Sequence, residues 1–178
     1  MNFSTKERYL LEDQKNHEKL CIQKYANYAN LASDPALKNI FKQNGQIEQE
    51  HYNTIDQLLK GQMPAVGQQS GGQQQSGGMQ SKGMQSQGQQ NSSSQNMIFQ
   101  NTNQSGSQGS GSMNTNDRDL CTDMLMTEKY VSGAYNTAIF EFRDTQVRNI
   151  LNHIQKEEQQ HGESIFKYME SNGMYNVQ

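Results

Sequence analysis

Tryptophan is absent from the 178 residues, proline occurs twice and cysteine twice, and only 31% of the chain is hydrophobic. Each shortage excludes something. Cys21 and Cys121 are too few for a disulfide framework and neither sits in a CxxC, so free buried thiols are expected. No apolar run is long enough to span a membrane. The N-terminus, Met1 to Arg8, lacks the apolar stretch of a signal peptide, so synthesis in the cytoplasm without a cleaved leader is expected. The formal net charge of -3 speaks against nucleic acid as a partner, because phosphate binding needs a basic face.

The apolar deficit is local. Residues 61–116 are almost entirely Gln, Gly, Ser, Asn and Met, a composition that cannot offset the entropy of ordering. This stretch is expected to be a disordered linker, serving as a passive tether or as a self-associating segment. Met97-Ile98-Phe99 is its one apolar cluster and a candidate for docking on the folded part. The flanking segments, 1–60 and 117–178, read as ordinary amphipathic helices.

Those two segments are copies of one another. Shifting the chain by 110 positions aligns Asp13 with Asp123, Glu18 with Glu128, Tyr25 with Tyr135, Asp34 with Asp144, Glu48 with Glu158 and His51 with His161. Eleven of the 43 positions from Asp13 to Ile55 are identical without a gap. Chance would supply roughly two or three, so an internal duplication is read. Each copy reads as helix, turn, helix. Leu11, Glu18, Cys21, Tyr25, Tyr28 and Ala32 mark one face of the first helix. Ser33-Asp34-Pro35 breaks the pattern, with Asp34 as the cap and Pro35 as the first residue of the second helix. Leu37, Phe41, Asn44, Glu48, His51, Ile55 and Leu58 mark its face. Gly61 and Pro64 end it.

In the second copy, Cys121, Met124, Glu128, Val131, Tyr135, Ala138 and Phe142 form one face. Val147, Leu151, Ile154, Glu158, His161, Ile165 and Tyr168 form the other. Four helices of roughly 24 to 28 residues, about 40 Å long, fit an all-α four-helix bundle. The linker's end-to-end distance of roughly 40 Å permits a crossover along the bundle, the ferritin-like connection.

Six polar residues interrupt the apolar stripes: Glu18, Glu48, His51, Glu128, Glu158 and His161. All lie near mid-helix, at similar heights about Asp34 and Asp144, so they should converge in one layer. Burying four carboxylates unpaired costs several kcal/mol per ion, about as much as a bundle can spare. Two divalent cations would balance them. One Glu from each of two helices and Glu-x-x-His from each of the other two is the ligand set of di-iron and di-manganese carboxylate bundles. Iron or manganese suits these donors, with zinc as an alternative. The bland alternative is that the stripes rotate these groups to the rim, or that the layer holds only protons and water. His17 and His153 are expected in solvent, as are Glu50, Glu141 and Glu157, although Glu141 could approach from the third helix. Tyr25 and Tyr135 are expected as core packing, with a supporting role at the site as the alternative. No catalytic residue is assigned.

The second copy also carries longer motifs: Asp117-Arg118-Asp119-Leu120-Cys121, Glu128-Lys129-Tyr130, Val147-Arg148-Asn149-Ile150-Leu151, Glu157-Glu158-Gln159-Gln160, and an ending Phe166 to Tyr175. These resemble the coat F domain of bacterial spore coat proteins, whose members usually finish in Gly-Trp-Tyr, where this chain has Met174 in place of the Trp. The resemblance implies a ferritin-like bundle in the spore coat, with other coat proteins or further copies of itself as partners. It implies no catalytic activity. It does not supply His161 either, so the metal set is a feature of this chain. A di-metal oxidoreductase, peroxide-consuming or ferroxidase-like, is the alternative function.

Overall fold

Four helices are built in the computed structural model, which describes residues 2–64 and 115–175: α1 (Thr5–Leu31), α2 (Pro35–Leu59), α3 (Thr115–Glu141) and α4 (Thr145–Ser171). Helices are the only regular elements among the described residues. The expectations for the linker, from residue 65 to 114, and for Met97-Ile98-Phe99 lie outside the described residues. α3 begins two residues ahead of the expected boundary at Asp117.

The helix ends follow from local chemistry. Ser4 and Glu7 form a capping box on α1, each side chain bonding the other residue's backbone N–H. Asp34 and Asp144 occupy matching positions and accept from Ala36 N and Gln146 N, at 2.7 and 2.8 Å. Each cap contributes about 1 kcal/mol. Gly61 and Gly173 stop α2 and α4 in the left-handed region, at φ 77° and 66°.

Every face residue expected on α2, α3 and α4 is buried. On α1 the face turns slightly: Ala29 is buried, whereas Tyr28 is half-buried and donates to Asp123 Oδ2 at 2.6 Å. α1 packs on α2 and α3, and α4 packs on α3 and α2.

The two hairpins are locked by an exchange that repeats the duplication. Glu7, in the first turn of α1, accepts from Arg143 N at 3.0 Å and from Arg143 Nη2 at 3.2 Å, at the α3–α4 turn. Its counterpart in the repeat, Asp117, accepts from Ser33 N at 2.8 Å and Asp34 N at 3.0 Å, at the α1–α2 turn. Each hairpin therefore satisfies the backbone donors of the other's turn, a completion that buried N–H groups require. The start of α3 thus lies at the α1–α2 turn. The end of α2 lies at the opposite end, where Asp56 meets Lys15 of α1 at 2.5 Å. The end of α2 and the start of α3 therefore lie at opposite ends of the bundle, the helix order of ferritin-like bundles.

Candidate metal centre

Glu18, Glu48, His51, Glu128, Glu158 and His161 are all buried, none more than 2% exposed. They meet in one layer across the four helices. Glu18, Glu48, His51 and Glu158 place one ligand atom each within 4.8 Å of one another, and so do Glu48, Glu128, Glu158 and His161. Glu48 and Glu158 belong to both groups. The Glu-x-x-His spacing puts Glu48 with His51, and Glu158 with His161, on one side of their helices. The His51 and His161 rings stack at 5.8 Å, tilted by 30°.

The imidazoles and carboxylates face one another at ion-pair distances. His51 Nδ1 lies 3.0 Å from Glu158 Oε1, 3.4 Å from Glu48 Oε2 and 3.6 Å from Glu18 Oε2. His161 Nδ1 lies 2.9 Å from Glu48 Oε1 and 3.7 Å from Glu128 Oε2. Yet both Nδ1 atoms, both oxygens of Glu48 and of Glu158, one oxygen each of Glu18 and Glu128, and His161 Nε2 have no hydrogen-bond partner. A buried polar atom without a partner costs about 1–3 kcal/mol, more if charged. So many in one layer, aimed at common points, form a donor set that could hold a metal ion. Oxygen and imidazole donors suit first-row transition metals.

Without a cation, protons must hold the layer together. Burial, with Glu48 beside it, pushes the Glu18 carboxyl up to about 8. Burial and the charge of Glu48 likewise raise Glu158 well above the ordinary range. Burial works the same way on Glu48, but His161 and His51 outweigh it and bring that carboxyl down to about 2. Burial opposes charge on both imidazoles. The carboxylates around them win, raising His161 to about 9 and His51 well above its usual value.

Supporting groups cross between the hairpins. Tyr25 of α1 donates its hydroxyl to Glu128 Oε1 of α3, and Tyr135 of α3 donates to Glu18 Oε1 of α1. Both tyrosines are fully buried, so they are core packing and carboxylate donors at once. Asn44 Nδ2 also donates to the Tyr25 hydroxyl, at 3.1 Å. Glu157, expected in solvent, is half-buried, and its Oε2 meets His51 Nε2 at 2.9 Å. An imidazole that ligates through Nδ1 carries its proton on Nε2 and would donate it to Glu157. His153, also half-buried, stands behind Glu157 at 3.4 Å.

Among the remaining neighbouring groups one expectation is corrected, that for His17, and those for Glu141, Glu50 and the two cysteines hold. His17 is largely covered, its side chain 13% exposed, because its ring packs edge-on against Tyr130 at 5.4 Å; it stays outside the layer. Glu141 does not approach the layer. It ends α3 and pairs with Lys6. Glu50 is exposed. Cys21 and Cys121 are free and buried, and burial pushes the Cys121 thiol up to about 12. Burial also raises the Cys21 thiol, with the site's carboxylates adding to it, which keeps it protonated and a poor ligand.

Past the end of α4, Met174 is buried and Tyr175 meets Phe166 edge-on at 5.0 Å. Residues 116–178 match the Coat F domain. The resemblance drawn from the second hairpin's motifs is borne out, and the Coat F domain supplies α3 and α4 of the bundle. Among curated proteins and among solved structures, nothing matches the chain. The first hairpin lies outside the Coat F match and is tied to it by the internal duplication.

Proposed function

We propose that this chain is a spore coat component whose bundle carries a di-metal carboxylate centre of iron or manganese. The Coat F domain supports the coat assignment. The observation that carries the metal assignment is the convergence of eight buried atoms from six residues, none with a hydrogen-bond partner. Glu18 and His51 would hold one ion and Glu128 and His161 the other, with Glu48 and Glu158 between them. Such a centre supplies redox chemistry when loaded. The chain's own part is to fix the carboxylates with Tyr25 and Tyr135, to orient His51 through Glu157, and to exclude bulk water.

Other coat proteins, or further copies of this chain, are the partners this reading names. Phe140 and Tyr130, 82% and 67% exposed, offer apolar surface for them. No described helix is long and apolar enough to cross a membrane.

A second reading makes the protein a peroxide-consuming or ferroxidase-like oxidoreductase within the coat. It is favoured by two oxidisable phenols, Tyr25 and Tyr135, bonded to the proposed ligands. Fractionation of purified spores tests the coat assignment: the protein should be in the coat extract, and its confinement to vegetative cytosol would refute it. Metal analysis beside a Glu128→Ala control tests the centre. Peroxide turnover by the iron- or manganese-loaded protein, lost in that control, would select the enzyme reading, and its absence would leave the structural one.

A further inference from the structure

A glycine inside a helix costs about 1 kcal/mol relative to alanine. Gly162, in the middle of α4, therefore calls for a reason, and packing supplies none. A Cβ there would meet Leu125 Cδ1 at 3.6 Å and Glu128 Cβ at 3.9 Å, both ordinary contacts. Gly45 is different: its Cβ would lie 3.0 Å from Tyr25 Cβ, so the close approach of α1 and α2 requires it.

A cleft of about 520 Å³ opens between α3 and α4, with Gly162 in its lining. Leu125 and Phe166 form its walls, Lys129 and Glu163 its rim, and Glu128 and Glu158 line it as well. Glu163 is engaged by Lys167 at 2.6 Å. Glu128 and Glu158 are themselves buried, at 2% and 0% exposure.

The first hairpin is built differently at the same place. Position 52 of the repeat holds Tyr where position 162 holds Gly, and position 15 holds Lys where position 125 holds Leu. Lys15 Nζ lies 5.0 Å from the centre of the Tyr52 ring and 2.5 Å from Asp56 Oδ1, which clamps the ring. A cleft of about 310 Å³ does open between α1 and α2, beside Tyr25 and Gly45, but neither Glu18 nor Glu48 lines it.

We propose that the α3/α4 cleft is the route by which a divalent cation enters and leaves the central layer, kept open by Gly162, while Tyr52 shuts its counterpart. The inference rests on the metal-centre reading. A cation with six waters occupies roughly 200 Å³, which the cleft accommodates. Glu128 and Glu158 line the cleft, and their carboxylates would replace water oxygens as the ion sheds them.

Cobalt(II) is the probe. Its uptake by the full-length protein is followed by stopped-flow visible absorption, and its loss by transfer to excess EDTA. Gly162→Leu should slow uptake and loss together, by at least tenfold, at unchanged stoichiometry and affinity, because a barrier on a path affects both directions. Tyr52→Ala should speed both by threefold or more. If Gly162→Leu does not fold, Gly162→Ala, which favours helix, should slow both by at least twofold. Unchanged rates in a folded Gly162 variant overturn the proposal, as does slower uptake without slower loss. A wild-type protein that takes up no cobalt at all overturns instead the metal-centre reading on which the proposal stands.

Discussion

The two hairpins share a plan and differ in what surrounds it. Both present Glu, then Glu-x-x-His, at the same height, and both send a tyrosine hydroxyl to the other's carboxylate. Around this common layer the copies diverge. Glu157 stands behind His51, whereas Ile47 occupies the equivalent place for His161, whose Nε2 has no partner. Asn44 supports Tyr25, whereas its counterpart in the repeat is Ile154, which cannot donate a hydrogen bond from its side chain. The difference teaches that the six acidic and imidazole side chains are the part held symmetric, while the groups around them differ between the copies.

The shared positions give the largest expected effect. Glu48→Ala or Glu158→Ala should abolish binding of both ions, because each carboxylate belongs to both donor groups. Glu18→Ala and Glu128→Ala should each spare one. Metal content per chain, measured for the four variants, checks this; equal losses in all four would break the two-site account.

The unequal support of the histidines comes next. A carboxylate behind a ligating imidazole is worth roughly 10–100-fold in metal affinity. The ion on the His51 side should therefore bind more tightly, and chelator competition should resolve two steps. Glu157→Gln should merge them, and two steps that persist in that variant would contradict the role given to Glu157.

How much of this was legible in the sequence depends on the kind of contact. The helices, their faces and the six-residue layer follow from periodicity and the repeat, which fix rotation within each helix. The tyrosine exchange, and the exchange of Glu7 and Asp117 between turns, depend on how one hairpin sits on the other, and no single-helix pattern carries that. Glu157 lies one position off its stripe, about 100° around the helix, where an acid reads as solvated. The mismatches Ile47/Glu157 and Tyr52/Gly162 were visible in the repeat, but only the layer's geometry gives them meaning.

Smaller effects separate the tyrosines. Tyr25→Phe removes a donor from Glu128 and also a partner from Asn44, whereas Tyr135→Phe removes only a donor from Glu18. Both should destabilise the metal-free protein, by about 1–3 kcal/mol, with Tyr25→Phe the worse of the two in urea melts. The reverse order would deny Asn44 its part.

The smallest effect belongs to the bundle's end. Burial raises the Glu7 carboxyl, but bonds from Arg143 and Ser4 outweigh it and hold it at about 2. A depressed carboxyl contributes stability that is complete above its unfolded value near 4.5 and is lost as the pH falls toward 2. Thermal melts across that window should show Glu7→Gln less stable than wild type at pH 6, with the gap closing toward pH 2. A gap independent of pH would remove the ionic part of the contact.

The central claim is that six buried groups form a two-ion centre. Titration of the full-length protein with iron(II) or manganese(II) under anaerobic conditions tests it most directly. The account predicts a break at two ions per chain, absent in Glu48→Ala; a wild-type curve with no saturable binding would contradict it.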